Sequence, residues 1–500
     1  MLPVPRSDLM PNTAAYETTP LIKATGFREY DARWLFGPDI NLMGVEALGL
    51  GLGTYIQELG QKRIVVGHDY RSYSLSIKQA LTLGLISAGC EVVDIGLALS
   101  PTAYFAQFAL DAPCVAMVTA SHNENGWTGV KMGAQRPLTF GPEEMGRLKA
   151  IVLGGLGKPR AGGSLTHVAD FAETFIADVA QRVAVKRPLK VVCACGNGTA
   201  GAFAPEALRR MGVAVVYEMD CDLDWTFPRY NPNPEDQEML HMMAKAVRDF
   251  GADLALGFDG DGDRCGVVDN TGEEIFADKI GLMLARDLSD LHKNATFIVD
   301  VKSTGLYATD PVLAANGATT VYWKTGHSYI KRKTAELGAL AGFEKSGHFF
   351  FNEPMGRGYD CGLTAAAAIL AMLDRNPDKR LSDLKDALPI AYTSLTMSPH
   401  CADEEKYGVV EAMVAEYTAL GAAAASLLGR KIVDVITVNG VRVALEDGSW
   451  VLVRASSNKP EIVVVVESTQ SADDMRALFH QEVKPRLGKH AQVGAYNQEI

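Results

Sequence analysis

LKVVCAC at Leu189–Cys195, VAVVYE at Val213–Glu218 and LALGFDGDGDR at Leu254–Arg264 share one phrase: a short apolar run, then a stretch of helical pattern, then another apolar run. Apolar runs of this length, bounded by glycine and polar residues and separated by helices from about Ala200 and over Asp236–Asp249, read as buried strands in βα units. The phrase occurs earlier, in RIVVG (Arg63–Gly67), a helix over Ser76–Ala88, EVVDIG (Glu91–Gly96) and CVAMVTA (Cys114–Ala120). It returns in TFIVDV (Thr296–Val301) and TTVYW (Thr319–Trp323), which lead to helices ending near Leu373. Runs of βα units imply largely parallel sheets covered on both faces.

Beyond Pro389–His400 the pattern changes. A helix near Glu404–Ala419 precedes short strands at Ile432–Val438, Val441–Leu445, Trp450–Val453 and Ile462–Val466, then a helix from Ala472. This reads as an α+β module with antiparallel strands. The glycine-rich stretch Leu153–Ser164 reads as a linker, and a further break falls near Asn270–Gly272. The expected modules are therefore 1–163, 164–272 and 273–390, all α/β, and 391–500, α+β. The first twenty residues read as a loose arm.

A chain of 500 residues is too long for one ordinary domain. Its net charge of −12 argues against broad binding of nucleic acid or an anionic membrane. A small anion needs only a local basic cluster. Eight cysteines with no paired zinc spacing read as reduced thiols of a cytoplasmic protein. The opening MLPVPRSDLMPNTAAYETTP has no apolar core of a secretory signal, and Leu363–Leu373 is too short to span a bilayer.

Four polar loops carry candidate chemistry. Thr119–Lys131, TASHNENGWTGVK, directly follows an apolar strand, where α/β folds place ligands. Ser121 there could attack phosphorus, with His122 and Lys131 near in sequence; a helix-capping serine beside a surface histidine is the plainer reading of this loop alone. Asp259-Gly260-Asp261-Gly262-Asp263-Arg264 places three carboxylates at alternate positions of a tight turn, an all-oxygen set suited to Mg²⁺ or Ca²⁺. An EF-hand is excluded, because its sixth position, a required glycine, is Arg264 and its twelfth, normally Glu, is Asn270. Gly342–His348, GFEKSGH, offers Glu344 and Ser346 to hydroxyl groups and His348 as a proton carrier. Arg454–Pro460, RASSNKP, offers a guanidinium fork and short donors to a phosphate. Each of the last two alone also reads as a plain polar turn.

Together and in this order the four loops resemble the α-D-phosphohexomutase superfamily, in its bacterial phosphomannomutase/phosphoglucomutase branch. Phe27–Arg33 (FREYDAR) and Gly67–Arg71 (GHDYR) resemble two further signatures of that family, so the likeness runs from about Phe27 to Ser468. The resemblance implies three related α/β domains with mixed or parallel sheets and a C-terminal α+β domain of TBP-like topology, around a central cleft that the fourth domain closes. It implies reversible interconversion of hexose 1-phosphate and hexose 6-phosphate through phospho-Ser121 and a 1,6-bisphosphate, which also serves as activator. It implies Mg²⁺ held by Asp259, Asp261, Asp263 and an oxygen on Ser121. Arg264 would lie by the metal loop, with Lys131, His122 and His348 as candidate acid and base. Tyr30, Arg33, Lys302, His327, Glu344, Ser346, Arg454, Ser456, Ser457, Asn458 and Lys459 would bind the substrate, with Glu344 and Ser346 on the sugar hydroxyls. The implied partners are small hexose phosphates, with no nucleic acid and no membrane, for a monomer or homodimer.

Two loops depart from the family pattern. The usual S-H-N-P is Ser121-His122-Asn123-Glu124, and S-N-T-E-P is Ser456-Ser457-Asn458-Lys459-Pro460. Val463 stands near the place of a frequent arginine, and Lys459 is expected to supply the missing positive charge. GFEKSGH ranks mannose phosphate first, glucose phosphate close behind and glucosamine phosphate third. Two other classes compete. A haloacid-dehalogenase phosphatase would use Asp259 as nucleophile, but would need threonine where Asp263 stands. A non-catalytic sugar-phosphate binder would have no need of Ser121 beside three aspartates.

Overall fold

The computed structural model describes residues 4–456 and 459–500. The chain divides into two compact units: 1–277 with 346–382, and 278–345 with 383–500. Ser457 and Asn458, expected in the phosphate loop, lie outside the described residues.

The first unit holds two sheets. In one, the strands Cys114–Val118, Arg63–His68, Glu91–Leu97 and Ser164–His167 run parallel in that order, as the βα pattern predicts. Two antiparallel strands extend it: Trp127–Gly133 pairs with Cys114–Val118, and Ala32–Leu35 pairs with Trp127–Gly133. The helices Leu42–Glu58, Ser74–Ser87 and Pro142–Leu153 bury Leu48, Leu52, Ile77, Leu81, Leu85, Leu148 and Ile151 in one core beneath Ile64, Val66 and Ala116. Ser164–His167 is the edge strand of this sheet although the expected break falls before it. The linker thus ends by pairing backward with Glu91–Leu97, which leaves its four exposed side chains no say in the assignment.

The second sheet has Lys190–Ala194 between the parallel neighbours Val215–Met219 and Leu254–Phe258. Cys265–Asp269 and Glu274–Ile275 complete it antiparallel.

The described part of the first twenty residues, from Val4 on, is not the loose arm expected. Thr13 caps a helix at Ala14–Thr18, and Leu9, Leu21 and Ile22 are buried. Asn41 holds the segment: its amide donates to the carbonyls of Tyr16 and Thr19, while its oxygen accepts from Leu21 N and caps the next helix at Gly44 N. One buried side chain forty residues into the chain therefore holds the backbone from Tyr16 to Leu21 in place.

In the second unit, Thr319–Trp323, Thr296–Asp300 and Ala341–Phe343 are parallel neighbours. The tail is a six-stranded antiparallel sheet in the order Tyr392–Thr393, Ile462–Ser468, Trp450–Ala455, Val441–Leu445, Arg430–Ile436, Ser426–Leu427. The helix Lys406–Ala422 and the helical segment Ala472–Leu487 pack their apolar residues on it. The two short end strands escape the sequence pattern because two residues show no periodicity.

Candidate active site

Two of the chemistry-bearing loops are hairpin tips. The strand Cys114–Val118 runs into the serine loop and returns as the antiparallel Trp127–Gly133. Leu254–Phe258 runs into the aspartate loop and returns as Cys265–Asp269, with Cys265 opposite Phe258. A strand follows Ser121, so the helix-capping reading of that serine fails.

The tips meet at Gly260. A Cβ there would stand 2.5 Å from the carbonyl oxygen of Ser121, so only glycine permits the approach. Ser121 itself is buried with φ +51°, a left-handed conformation that non-glycine residues hold only when their surroundings impose it. Here Arg71 imposes it, donating to the carbonyls of Ser121 (2.9 Å), Asn123 (2.6 Å) and Glu124 (3.3 Å). Asp69 in turn pairs with Arg71 Nε at 3.3 Å and accepts from Ala120 N at 3.3 Å. Arg33 adds a bond to Ala120 O at 3.0 Å and another to Asn123, while its Nε pairs with Asp31 at 2.9 Å. Tyr30 lies half-buried beside Asp31.

The Ser121 hydroxyl donates to Asp259 Oδ2 at 3.0 Å and lies 3.3 Å from His122 Nδ1. Asp259, Asp261 and Asp263 are fully buried, and one oxygen of each falls within 4.8 Å of the others. Ser100 Oγ donates to Asp261 Oδ2 at 2.6 Å. Lys131 Nζ reaches Asp261 Oδ2 at 2.7 Å and also pairs with Asp263. Asp261 Oδ1 and Asp263 Oδ1 have no hydrogen-bond donor among the described residues. Buried carboxylate oxygens without donors are costly, and an oxygen-only set of three carboxylates beside a hydroxyl is what a hard divalent cation takes. The residues present fit such an ion.

The titration of these groups follows from their packing. Burial, then the neighbouring Asp261 and Asp263, pushes the Asp259 carboxyl well up. Burial works against ionised Asp261, but the Lys131 ammonium outweighs it and holds that carboxyl below the usual range. Burial likewise opposes the charge on Lys131, and Asp261 and Asp263 overcome it, so Lys131 stays a fixed cation. His122 is pushed well down by the Arg264 guanidinium, then by burial and Arg33, and is neutral at pH 7.

Arg264 ties the metal loop to His348. Its backbone N–H donates to Asp259 Oδ1 at 3.2 Å, its Nε to His348 Nε2 at 3.0 Å and its NH1 to Glu235 at 2.9 Å. His348 Nδ1 lies 3.0 Å from Asp360 Oδ2 and 3.5 Å from Asp263 Oδ1. Since Nε2 accepts from Arg264, the ring hydrogen points from Nδ1 toward Asp360, the nearer carboxylate. Ser346 is also buried in the first unit.

The remaining predicted residues belong to the second unit. Lys302 is half-buried after the strand Thr296–Asp300, and His327 is buried at the start of the helix His327–Glu336. Glu344 is buried. Arg454 is buried with NH1 on Ala455 O at 3.0 Å; Ser456 Oγ accepts from Lys459 N at 3.3 Å, and Lys459 is exposed.

The sequence reading left out Asp69, Arg71, Ser100, Glu235 and Asp360. Asp69 and Arg71 carried a signal in GHDYR, read there only as a signature. Ser100 and Asp360 carried none: Ser100 stands 161 residues before Asp261, and Asp360 lies outside the motif of the His348 it touches.

Family models of the phosphoglucomutase/phosphomannomutase α/β/α domains I, II and III match residues 24–155, 169–272 and 276–392, and the model of the C-terminal domain matches 401–484. A curated protein of Pseudomonas syringae pv. tomato named phosphomannomutase/phosphoglucomutase is 32% identical over 467 residues, covering 93% of this chain and 96% of its own. A phosphoglucomutase of Neisseria meningitidis serogroup A is 31% identical over 450 residues, covering 89% and 94%. The solved structure of a phosphoglucomutase/phosphomannomutase family protein from Burkholderia thailandensis superposes with a TM-score of 0.82 at 28% identity, over 93% of this chain and 98% of that one. Four sheets, two hairpin tips joined at a serine and three buried aspartates, and this run of matches define a phosphohexomutase. The chain belongs to the phosphoglucomutase/phosphomannomutase family, with its four-domain architecture. No helix among the described residues is long and apolar enough to cross a membrane.

Proposed function

We propose that the chain interconverts hexose 1-phosphates and hexose 6-phosphates by way of a phosphoserine at Ser121. The observation that carries this reading is the Ser121 hydroxyl on a left-handed backbone, 3.0 Å from Asp259 and beside two more buried aspartates. A free sugar hydroxyl attacks the phosphorus carried by Ser121. The new P–O bond forms as the P–Oγ bond breaks; the hydroxyl proton passes to a base, and Oγ leaves with the electron pair and takes up a proton from an acid. The 1,6-bisphosphate turns end for end, and its other phosphoryl group returns to Ser121 Oγ. A hexose 1,6-bisphosphate also charges an unphosphorylated Ser121, which accounts for its role as activator.

Mg²⁺, held by Asp259, Asp261, Asp263 and an oxygen on Ser121, would neutralise charge on the transferring group. The chain's own groups do the positioning on which phosphoryl transfer depends. Arg71 and Asp69 hold the serine loop; Lys131 is a permanent positive charge; Arg264 places His348. Neutral His122, beside Oγ, is equipped to take a proton there. Lys131, pinned between carboxylates, is poorly equipped for that task. We assign the sugar hydroxyls to Glu344 and Ser346, and further substrate contacts to Tyr30, Arg33, Lys302, His327, Arg454, Ser456 and Lys459. Eight free cysteines accord with a reducing cytoplasm.

The test is ³¹P NMR of mannose, glucose and glucosamine 1-phosphates, each with Mg²⁺ and a trace of glucose 1,6-bisphosphate. Formation of 6-phosphate from mannose and glucose, abolished in Ser121→Ala, is the expected result. Release of inorganic phosphate would replace the mutase with a phosphatase. No turnover by folded protein would leave a sugar-phosphate binder.

A further inference from the structure

A second cluster of metal-ligating side chains lies in the second sheet and takes no part in the chemistry above. Cys193 is in the strand Lys190–Ala194, and Cys195 follows two residues on, so both thiols fall on one side of the chain. Cys221 follows the adjacent parallel strand Val215–Met219 at the equivalent end. Cys195 N donates to Met219 O at 3.2 Å, which carries the ladder past the strand ends and holds the two segments side by side.

The sulfurs of Cys193 and Cys195 are 3.8 Å apart, those of Cys195 and Cys221 3.5 Å, and all three lie within 4.8 Å of one another. Cys193 and Cys195 are fully buried; Cys221 is 7% exposed and marks the approach from solvent. Single buried cysteines behave as small apolar residues and need no other account. Three that converge on one point from two segments do. Thiolates sharing one ion at about 2.3 Å stand roughly 4 Å from each other, close to the spacing found here. The end of parallel strands is also where α/β sheets hold ligands.

We propose that Cys193, Cys195 and Cys221 form a tris-thiolate site for one thiophilic closed-shell cation of the Zn²⁺ or Cu⁺ class. On binding, three S–H bonds break, three metal–sulfur bonds form and the protons pass to buffer. Soft sulfur selects against Mg²⁺, so the protein keeps two classes of cation on two donor sets. The sets are mechanically joined. Thr199 N donates to Gly260 O at 3.2 Å, and a Cβ on Gly198 would stand 3.1 Å from Gly260 Cα. The turn leaving Cys195 thus rests on the aspartate loop.

The experiment is a titration of the full chain with Cd²⁺ in excess Mg²⁺, reading the ultraviolet sulfur-to-metal band and released protons. One equivalent is expected to bind, and X-ray absorption of the wild-type adduct is expected to show three sulfur ligands, a result that needs no variant to fold. Cys193→Ser, Cys195→Ser and Cys221→Ser should each weaken binding at least about tenfold, the scale seen on disturbing a metal site. Cys265→Ser should not. Displacement of Cd²⁺ by Zn²⁺ or by Cu⁺ identifies the cation. Absence of the band, fewer than three sulfurs, a band that survives the triple serine variant, or failure of both ions to displace Cd²⁺ would each overturn the proposal.

Discussion

LALGFD, Leu254–Asp259, and TFIVD, Thr296–Asp300, look alike: each is an apolar strand that runs into a fully buried aspartate. Their surroundings differ. Asp300 is covered by neutral donors: Oδ1 accepts from Ser303 Oγ at 2.6 Å and Lys345 N at 3.3 Å, and Oδ2 from Thr325 Oγ1 at 3.0 Å. Asp259 has the Ser121 hydroxyl and Arg264 N, but also two further carboxylates. A buried carboxylate saturated by hydrogen bonds organises its turn, whereas carboxylates that share too few donors form a site for a cation. The loop after Asp300 is fixed from outside as well. Arg442 is stacked 3.7 Å from the Trp450 ring centroid and 4.1 Å from that of Tyr322, and donates to the carbonyls of Val301 and Ser303 on either side of Lys302. Buried Glu467 accepts from Thr304 Oγ1, Gly305 N and Trp450 Nε1.

The contrast can be broken at several points. Ser121→Ala should lower turnover by at least about 10⁴-fold, as loss of a nucleophile does, while circular dichroism stays unchanged. Asp261→Asn should lower the turnover number at least ~10²-fold with little change in KM, because it removes a key electrostatic element; near-normal turnover would count against the cation site. Arg442→Lys tests the other loop. A lysine lacks the planar group that stacks between Tyr322 and Trp450 and aims NH1 at the two carbonyls, so KM for sugar phosphate should rise several-fold with turnover less affected. Asp300→Asn should cost about 1–3 kcal/mol in denaturant unfolding and leave Mg²⁺ affinity, read by calorimetry, unaltered. Asp259→Asn should do the reverse: weaken Mg²⁺ binding while leaving the metal-free melting temperature level or higher. If both substitutions act alike, the distinction between the strands is wrong.

The smallest effect is electrostatic. His122 is held below its unfolded value near 6.5, so between the two values the unfolded chain carries the extra proton. Stability therefore falls as pH drops below about 6.5, by at most about 1.4 kcal/mol per pH unit for one group. His122→Gln should flatten the slope of urea midpoints over pH 5–7 relative to wild type. An unchanged slope would show that the ring is not held neutral.

What the sequence displayed well was whatever chemistry is contiguous. Asp259, Asp261 and Asp263 sit at alternate positions of one turn, and Ser121 follows its strand directly, so pattern and spacing reach them. Apolar strands and the helix Ser74–Ser87 showed through for the same reason. The groups that make these residues work come from elsewhere in the chain. Arg71 reaches the serine loop across fifty residues, Ser100 reaches Asp261 across 161, and Asp360 reaches His348 from outside its motif. Asn41 holding Tyr16, Thr19 and Leu21 is of the same kind. GHDYR marks Arg71 without showing its partner, and the other contacts leave no local trace, since each depends on which segments become neighbours.

Gly260 carries no acid, base or ligand, yet its bare Cα lies against the serine loop on one side and the Cys195–Thr199 turn on the other. In a saturation library scored by growth, that position should be as intolerant as the aspartates flanking it. A map of mutational sensitivity would then mark it as part of the reaction, when its contribution is only the space it leaves empty.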